Sequence, residues 1–295
     1  MIRPLFKTRR RAVLSILLIA YTAVMLFGGC ASRLILFPSR QPIDANTARQ
    51  DFVTANGDRK VEVWIDRSPG AASTEPQAYV VEFTGNATRA EQVATYAAQV
   101  WGEHPVEAWT VNYPGYGQSS GDARLHDIPP AALAVYDHVA KIAGGKPIFL
   151  AGNSLGTTAA LYLATQRPTA GLLLQNPPAI RSLILSNFGW WNLWLLAGPV
   201  AMDVPKELDS PTNAARVTAP AIFVLARDDT FVVPDNQLKV VNAFKGPKQI
   251  VHTTGGHNDG MDAAAHRQLI QSVDWLVRTS SDGTPAASQP KPTAE

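Results

Sequence analysis

The sequence has a single cysteine, Cys30, among 295 residues. One thiol cannot form an intramolecular disulfide, so cysteine pairing neither stabilises this fold nor indicates its redox compartment. The chain also lacks an excess of either charge, since 26 Lys and Arg side chains oppose 24 Asp and Glu side chains for a net charge of +2. This balance gives no electrostatic basis for binding nucleic acid or a polyanionic substrate. With 46% hydrophobic residues and no internal repeat, the chain is suited to bury one core.

Residues 1–30 are typical of a targeting or anchoring segment. A basic cluster at 7–11 precedes an apolar stretch from Ala12 to Gly29, and Cys30 follows directly. In one interpretation this is a lipoprotein signal, and Cys30 becomes the lipidated N-terminus. In the other it is an uncleaved signal anchor, because about 18 apolar residues are near the least that span a bilayer. The position of the sole cysteine favours lipidation, and both interpretations predict a membrane-attached protein on the periplasmic, extracytoplasmic side.

Predicted strands and helices alternate after this segment. The predicted strands cover 51–56, 60–67, 78–83, 106–112, 147–151, 171–175, 221–226 and 248–253, and the predicted helices cover 88–103, 128–143, 157–166, 235–244 and 259–278. This alternation predicts an α/β domain with a mostly parallel, doubly wound sheet. We expect the domain to span 31–278, with a cap inserted at about 177–219. The Ser-, Pro- and Ala-rich tail at 279–295 is predicted to be disordered.

A Gly-x-Ser-x-Gly pentapeptide, Gly152 to Gly156, lies between an apolar run and a predicted helix. The glycines allow a strand and a helix to approach closely. A serine at a helix N-terminus faces free backbone N–H groups, which favour a developing negative charge. The pentapeptide alone also occurs in ordinary turns, but the strand–turn–helix context makes Ser154 the candidate nucleophile.

An acid and then a histidine are expected to follow such a serine along the chain. Asp228 and Asp229 come directly after the predicted strand at 221–226, and position alone leaves both as candidates. His257 follows the last predicted strand, whereas the other histidines precede the serine or lie within a strand or helix. The backbone N–H of Leu155, next to the nucleophile, is the first predicted oxyanion donor.

Four separated stretches resemble the α/β-hydrolases, and more narrowly the membrane-anchored serine hydrolases that include protein depalmitoylases. They are Phe-Thr-Gly-Asn-Ala at 83–87, Asn-Tyr-Pro-Gly-Tyr-Gly-Gln-Ser-Ser-Gly at 112–121, the serine turn, and Gly-Gly-His-Asn-Asp at 255–259. The sequence departs from this pattern at Thr84, where the family usually has histidine. The resemblance implies the α/β-hydrolase fold, Asp229 as the triad acid, and the Asn86 N–H as the second oxyanion donor.

The predicted triad of Ser154, Asp229 and His257 indicates a serine hydrolase that cleaves carboxylic esters or thioesters through an acyl-enzyme. We expect no cofactor and no metal. Two alternatives remain: a serine peptidase of the same fold, and a non-catalytic, membrane-anchored binding protein.

The insertion between the sixth and seventh predicted strands carries the information about substrate. It contains Trp190, Trp191 and Trp194, which we predict to bind substrate as part of an apolar wall. Contact with a membrane interface, or simple packing of the cap on the body, would explain the same residues. An apolar cap favours a small-molecule or lipid-like acyl substrate, and an acylated protein is a further candidate partner.

Overall fold

A computed structural model of the chain describes residues 3–27, 30–44, 48–55, 57–190, 195 and 197–281. Within these residues one sheet contains β1 (Arg49–Ala55), β2 (Arg59–Arg67), β3 (Ala78–Phe83), β4 (Val106–Val111), β5 (Ile148–Asn153), β6 (Gly171–Gln175), β7 (Ala221–Ala226) and β8 (Lys248–Thr253). The helices are α1 (Arg3–Phe27), α2 (Cys30–Ile35), α3 (Ala90–Gln99), α4 (Ile128–Ala143), α5 (Leu155–Gln166), α6 (Ile180–Phe188), α7 (Ala197–Asp203), α8 (Ser210–Ala214), α9 (Pro234–Ala243) and α10 (Ala263–Ser281).

The strand order in the sheet is β1-β2-β4-β3-β5-β6-β7-β8. β2 pairs antiparallel with β1 and β4, and every other pair is parallel. The predicted mostly parallel, doubly wound sheet is therefore confirmed. Because the carboxyl ends of parallel strands share one edge, the loops that follow β3, β5, β7 and β8 meet there.

Three helices differ from their predicted bounds by two residues or more, and α9 differs by one residue at each end. α5 begins at Leu155, directly after the serine, because the turn is tighter than the pattern indicated. α3 begins at Ala90, after Arg89 has adopted an extended backbone. α10 begins at Ala263 because the Asp262 carboxylate accepts hydrogen bonds from the first-turn N–H groups of Ala264 and Ala265, both at 2.9 Å. The same helix continues to Ser281, past the predicted boundary at 278, and residues 282–295 lie outside the described part.

β5 and α5 approach each other so closely that side chains are excluded from the glycines between them. A Cβ on Gly156 would lie 1.9 Å from the carbonyl oxygen of Phe83, the last residue of β3. A Cβ on Gly152 would lie 2.5 Å from the carbonyl carbon of Gly156. Both contacts are with backbone atoms, which no rotamer change can relieve. The two glycines therefore fix the distance between the helix and the centre of the sheet.

The N-terminal region contacts the rest of the chain at the cap. α1 packs beside α7, and the Tyr21 hydroxyl donates a hydrogen bond to the carbonyl oxygen of Leu195. By length and hydropathy, none of the helices in the described part of the chain qualifies as a membrane-crossing segment.

We predict that Gly156→Ala destabilises the fold by about 1–3 kcal/mol, because the new methyl group must push α5 away from β3. Gly198→Ala is the matched control, since a Cβ on this helical glycine would meet nothing within 4 Å. The control should be neutral or slightly stabilising, as alanine loses less backbone entropy in a helix. Urea denaturation of the two variants measures both effects. Equal midpoints for Gly156→Ala and the wild type would contradict the prediction.

Candidate active site

Ser154 occupies a strained turn between β5 and α5. Its backbone has φ of 49° and ψ of −118°, a combination that costs a residue with a side chain about 1–3 kcal/mol. The Ser154 N–H donates to the Gln175 carbonyl at 2.8 Å, and the Ser154 carbonyl accepts from the Thr157 N–H at 3.0 Å. These bonds hold the strained conformation.

The hydroxyl of Ser154 meets the histidine that follows β8. His257 Nε2 lies 3.0 Å from Ser154 Oγ, and His257 Nδ1 lies 2.6 Å from Asp229 Oδ2. The loop that carries the histidine is held by Asn176, whose Nδ2 donates to the His257 carbonyl at 3.4 Å and whose Oδ1 accepts from the Ala226 N–H. The structure thus brings together the three residues predicted as a triad.

The carboxylate of Asp229 is buried and fully hydrogen-bonded. Its Oδ1 accepts from the N–H groups of Phe231 and Val232 at 2.9 and 2.8 Å. Its Oδ2 accepts from Gln237 Nε2 at 3.1 Å as well as facing His257. A buried charge needs such partners, and these fix the direction in which the carboxylate meets the imidazole.

Asp228, the alternative acid, lies in a different environment. Its side chain is exposed, and Oδ2 accepts from the Gly255 N–H at 3.3 Å. The Asp228 N–H in turn donates to the Gly255 carbonyl at 3.1 Å. Asp228 therefore braces the loop that leads to His257. Of the two aspartates, only Asp229 contacts the imidazole.

The two predicted oxyanion donors flank the serine. Leu155 is the first residue of α5, and Asn86 belongs to the loop after β3. A Cβ on Gly85 would lie 3.7 Å from Ser154 Cβ, so this loop passes directly beside Ser154. Within the described residues, neither the Leu155 N–H nor the Asn86 N–H donates a hydrogen bond. Both donors are thus available to a ligand oxygen at Ser154.

The motif at 112–121 holds the loop after β3 in place. The Tyr113 hydroxyl donates to the Thr84 carbonyl at 2.7 Å, and the Tyr116 hydroxyl donates to Asn86 Oδ1 at 2.9 Å. Burial raises the pKa of Tyr116 to about 12, so this hydroxyl keeps its proton at neutral pH. Thr84, which replaces the family's usual histidine, is buried, and its hydroxyl has no partner within the described residues.

A buried carboxylate, which the sequence analysis did not identify, supports this motif in turn. Glu62 Oε2 accepts from Asn112 Nδ2 at 2.8 Å and from the Gln118 N–H at 2.7 Å. A Cβ on Gly117, which has φ of +52°, would lie 2.1 Å from the same oxygen. Glu62 stands between two valines in β2, a position where an acidic residue indicates a buried partner.

An apolar cavity of about 140 Å³ opens at Ser154. Its wall is formed by the end of α2 and the residue Phe37 beyond it, by helix α6 of the cap with Pro178 before it, and by Phe231. Asn86 and Leu155 also line it, and the residues from α2 and α6 are Leu34, Ile35, Ile180, Leu183, Ile184, Asn187 and Phe188. A larger cavity of about 630 Å³, lined by residues such as Lys146 and Pro220, lies at the opposite edge of the sheet and contains none of the triad.

The predicted tryptophan wall stays a prediction. Trp190 follows the end of α6, is 70% exposed, and is not among the residues that line this cavity. Trp191 and Trp194 lie outside the described residues. Leucine and isoleucine side chains of α6 form part of the wall of this cavity.

Two further predictions concern the residues around this site. Cys30 begins α2, and its lipidation stays a prediction. In the part of the chain that is described, no group of three or more His, Cys, Asp or Glu side chains is arranged to hold a metal ion.

The chain is similar to several known proteins. No protein-family model matches it. It is 26% identical over 252 residues to the uncharacterized protein Rv2307c of Mycobacterium tuberculosis. This match covers 82% of this chain and 85% of that protein. It is 29% identical over 140 residues to the lysophosphatidylserine lipase ABHD12 of Danio rerio, across 42% of this chain and 35% of that lipase.

Among solved structures, Est1E from Butyrivibrio proteoclasticus, with ferulic acid bound, superposes with a TM-score of 0.64. The identity is 18%, and the match covers 78% of this chain and 99% of that chain. The chain has the α/β-hydrolase fold. A shared fold does not by itself assign a reaction, since one fold carries many functions.

We predict that Asp229→Ala reduces turnover of an ester by several orders of magnitude, whereas Asp228→Ala reduces it less than tenfold. Asp229 sets the tautomer of His257, and Asp228 only braces its loop. Single alanine changes at Ser154 and His257 should each cost as much as the double change, because the triad acts as a unit. Steady-state kinetics on the purified variants measure these effects. A severe loss in Asp228→Ala with an active Asp229→Ala would reverse the assignment of the acid.

Proposed function

We propose that the protein is a serine hydrolase that cleaves carboxylic esters or thioesters with an apolar acyl group. The observation that carries this proposal is the aligned set of Ser154, His257 and Asp229 at the end of an apolar cavity. The α/β-hydrolase fold and the order of the three residues along the chain, serine then aspartate then histidine, support this function.

The proposed reaction begins when Ser154 Oγ attacks the acyl carbonyl carbon while neutral His257 accepts the hydroxyl proton at Nε2. The C–O bond forms and the carbonyl oxygen becomes an oxyanion near the N–H groups of Leu155 and Asn86. His257 then gives its proton to the departing alcohol or thiol, and an acyl-enzyme remains. Water, deprotonated by His257, hydrolyses the acyl-enzyme and releases the carboxylic acid.

Two further groups of interactions lower the activation barrier of the proposed reaction. Asp229 keeps the imidazole in the tautomer that has Nε2 free and stabilises the imidazolium that forms. Each backbone donor at the oxyanion contributes about 2.7–4 kcal/mol, judged from the cost of removing one in other hydrolases.

The cavity wall favours an acyl ester over a peptide. Among the described residues, its polar side chains beyond the serine are Asn86 and Asn187, and none of those that line it is charged. A peptidase has to hold peptide groups by hydrogen bonds, which aliphatic walls do not provide. A non-catalytic binding protein would have no need to keep Ser154 in a strained conformation, which is costly unless it is used.

The similarity to ABHD12 supports a lipid-like substrate, because that protein is described as a lipase acting on lysophosphatidylserine. Since the match covers about a third of that lipase, we carry over only the class of substrate, an ester with a hydrocarbon chain. A thioester on an acylated protein, as in the depalmitoylase group that the sequence motifs resemble, belongs to the same class of chemistry.

We also propose that the chain is attached to a membrane by its N-terminal region, with the hydrolase domain on the extracytoplasmic side. Support comes from the basic cluster at 7–11 and from the apolar residues that follow it. On α1 the side chains of Val13, Leu17 and Ile19 are exposed, which is unfavourable in water and favourable in a lipid environment.

We expect a fluorophosphonate probe to label the wild type and not Ser154→Ala, since only an activated serine attacks phosphorus. With p-nitrophenyl esters of increasing acyl length, Leu183→Ala should shift the preference to longer chains by about tenfold in the ratio of kcat/KM values, because it enlarges the cavity. Leu185→Ala is the matched control, as this leucine lies on the same helix, is exposed and does not line the cavity.

Two results would count against the proposal. Absence of Ser154-dependent labelling would exclude an active serine hydrolase. Labelling combined with cleavage of peptide amides, and none of the esters, would favour the peptidase.

For the attachment, we expect the mature protein to begin at Cys30 and to carry lipid on that residue. The mature protein would then start Cys30-Ala31, and a Cys30→Ser variant should retain its uncleaved signal. Intact-mass measurement of protein extracted from membranes distinguishes this product from an uncleaved anchor. A mass that retains residues 1–29, or normal maturation of Cys30→Ser, would eliminate lipidation while leaving the hydrolase proposal unaffected.

A further inference from the structure

The side chain of Asn86 connects the loop beside Ser154 to the end of α2 and to the residues that follow it. Asn86 Nδ2 donates to the Ile35 carbonyl at 2.5 Å, and Asn86 Oδ1 accepts from the Phe37 N–H at 3.1 Å. The carboxamide therefore bonds to the backbone of 35–37 as a peptide group of a neighbouring strand would. The same Oδ1 also accepts from the Ala87 N–H and from the Tyr116 hydroxyl.

The segment at 32–41 is in turn bound tightly to the domain. Ser32 and Leu36 are buried, and Ser32 Oγ accepts from the Leu125 N–H at 3.2 Å. The Ser39 carbonyl accepts from the Gly117 N–H at 2.9 Å. Arg40 donates to the Gly121 carbonyl at 2.6 Å. The partners of Asn86 on this segment are thus held by several independent contacts with the body of the protein.

The same segment supplies part of the cavity wall. Leu34 and Phe37 expose more than half of their surface to solvent, yet both line the cavity at Ser154. Large apolar side chains exposed at the mouth of a cavity are favourable when a ligand covers them.

We propose that the segment at 34–37 is part of the catalytic site, where it acts through the Asn86 carboxamide to position the Asn86 N–H for the oxyanion. This inference rests on the proposed hydrolase function. Asn86 has two separate functions in it: its backbone N–H is a donor to the reacting oxygen, and its side chain is a positioning group that fixes where this donor points.

The physical reason is the geometry that an oxyanion donor requires. A donor contributes to catalysis only when it lies within hydrogen-bonding distance of the oxyanion, and a displacement of about 1 Å can cost about 100-fold in rate. The loop after β3 has no helix or strand of its own at 84–89. Its position is set by the tyrosine hydroxyls on one side and by the backbone of 35–37 on the other.

The test uses the full chain and a short p-nitrophenyl ester such as the acetate, which does not depend on the acyl wall. Asn86→Ala keeps the backbone N–H but removes every side-chain bond, and we expect kcat to fall about 10- to 100-fold with KM changed less than threefold. Tyr116→Phe removes one hydroxyl from the same Oδ1 and leaves the buried ring in place, so a smaller fall in kcat is expected even if Asn86→Ala folds poorly.

Two controls separate positioning from stability and from binding. Asn213→Ala removes a buried side-chain bond to the Glu207 carbonyl, remote from the cavity wall, and should lower the thermal midpoint without changing kcat. Phe37→Ala retains its N–H and shortens the wall, so it should raise KM for long acyl esters.

Unchanged kcat in both Asn86→Ala and Tyr116→Phe, with a lowered thermal midpoint, would overturn the inference and make the carboxamide a purely structural link. If kcat of Asn86→Ala fell only as much as kcat of Asn213→Ala, the inference would also be overturned. Failure of the proposed function is distinguished by the wild type, which would then hydrolyse no ester and show no Ser154-dependent labelling.

Discussion

The close approach of three backbone segments at Ser154 is the constraint on which the rest of the site depends. Gly156 lies against the end of β3 with no space for a side chain, and Ser154 is held with a positive φ between β5 and α5. This arrangement has three consequences at once. It directs the hydroxyl to His257, it leaves the N–H of Leu155 without a partner among the described residues at the start of a helix, and it brings the loop after β3 to the same point.

Buried polar groups then fix the parts that this contact brings together. Asp229 and Glu62 are comparable in this sense, since each is a buried carboxylate that accepts several hydrogen bonds, at least one of them from a loop N–H group. Asp229 orients His257, and Glu62 orients the motif whose tyrosines hold the loop after β3. A partly satisfied network would be costly in an apolar interior, so these bonds favour one arrangement of each loop.

The fold and the grouping of Ser154, His257 and Asp229 could be predicted because they depend on local patterns and on chain order. Four of the eight strands were predicted with their observed bounds, since buried parallel strands are short apolar runs between polar residues. Asp229 could be preferred to Asp228 as the acid only by resemblance, because the two adjacent aspartates differ in burial rather than in sequence pattern.

The contact between Asn86 and the segment at 34–37 could not be predicted from the sequence. It consists of hydrogen bonds between the Asn86 side chain and backbone groups 49 and 51 residues away, and backbone groups are present whatever the sequence of that segment. The role of Trp190 could not be predicted in detail, because an aromatic cluster indicates an apolar surface without saying which residues of the cap face the cavity.

The position of 34–37 links the proposed attachment to the proposed chemistry. Cleavage ahead of Cys30 would leave this segment in the mature protein, and an uncleaved anchor would leave it equally in place. In both cases the residues that line the cavity mouth follow within about ten residues of the attachment point, and ten residues of extended chain reach only about 35 Å. The cavity of a protein attached in this way is therefore held near the lipid surface. A substrate with a hydrocarbon chain would need to leave that surface only by a short distance to reach Ser154, which is the physical argument for a lipid-like ester rather than a soluble one.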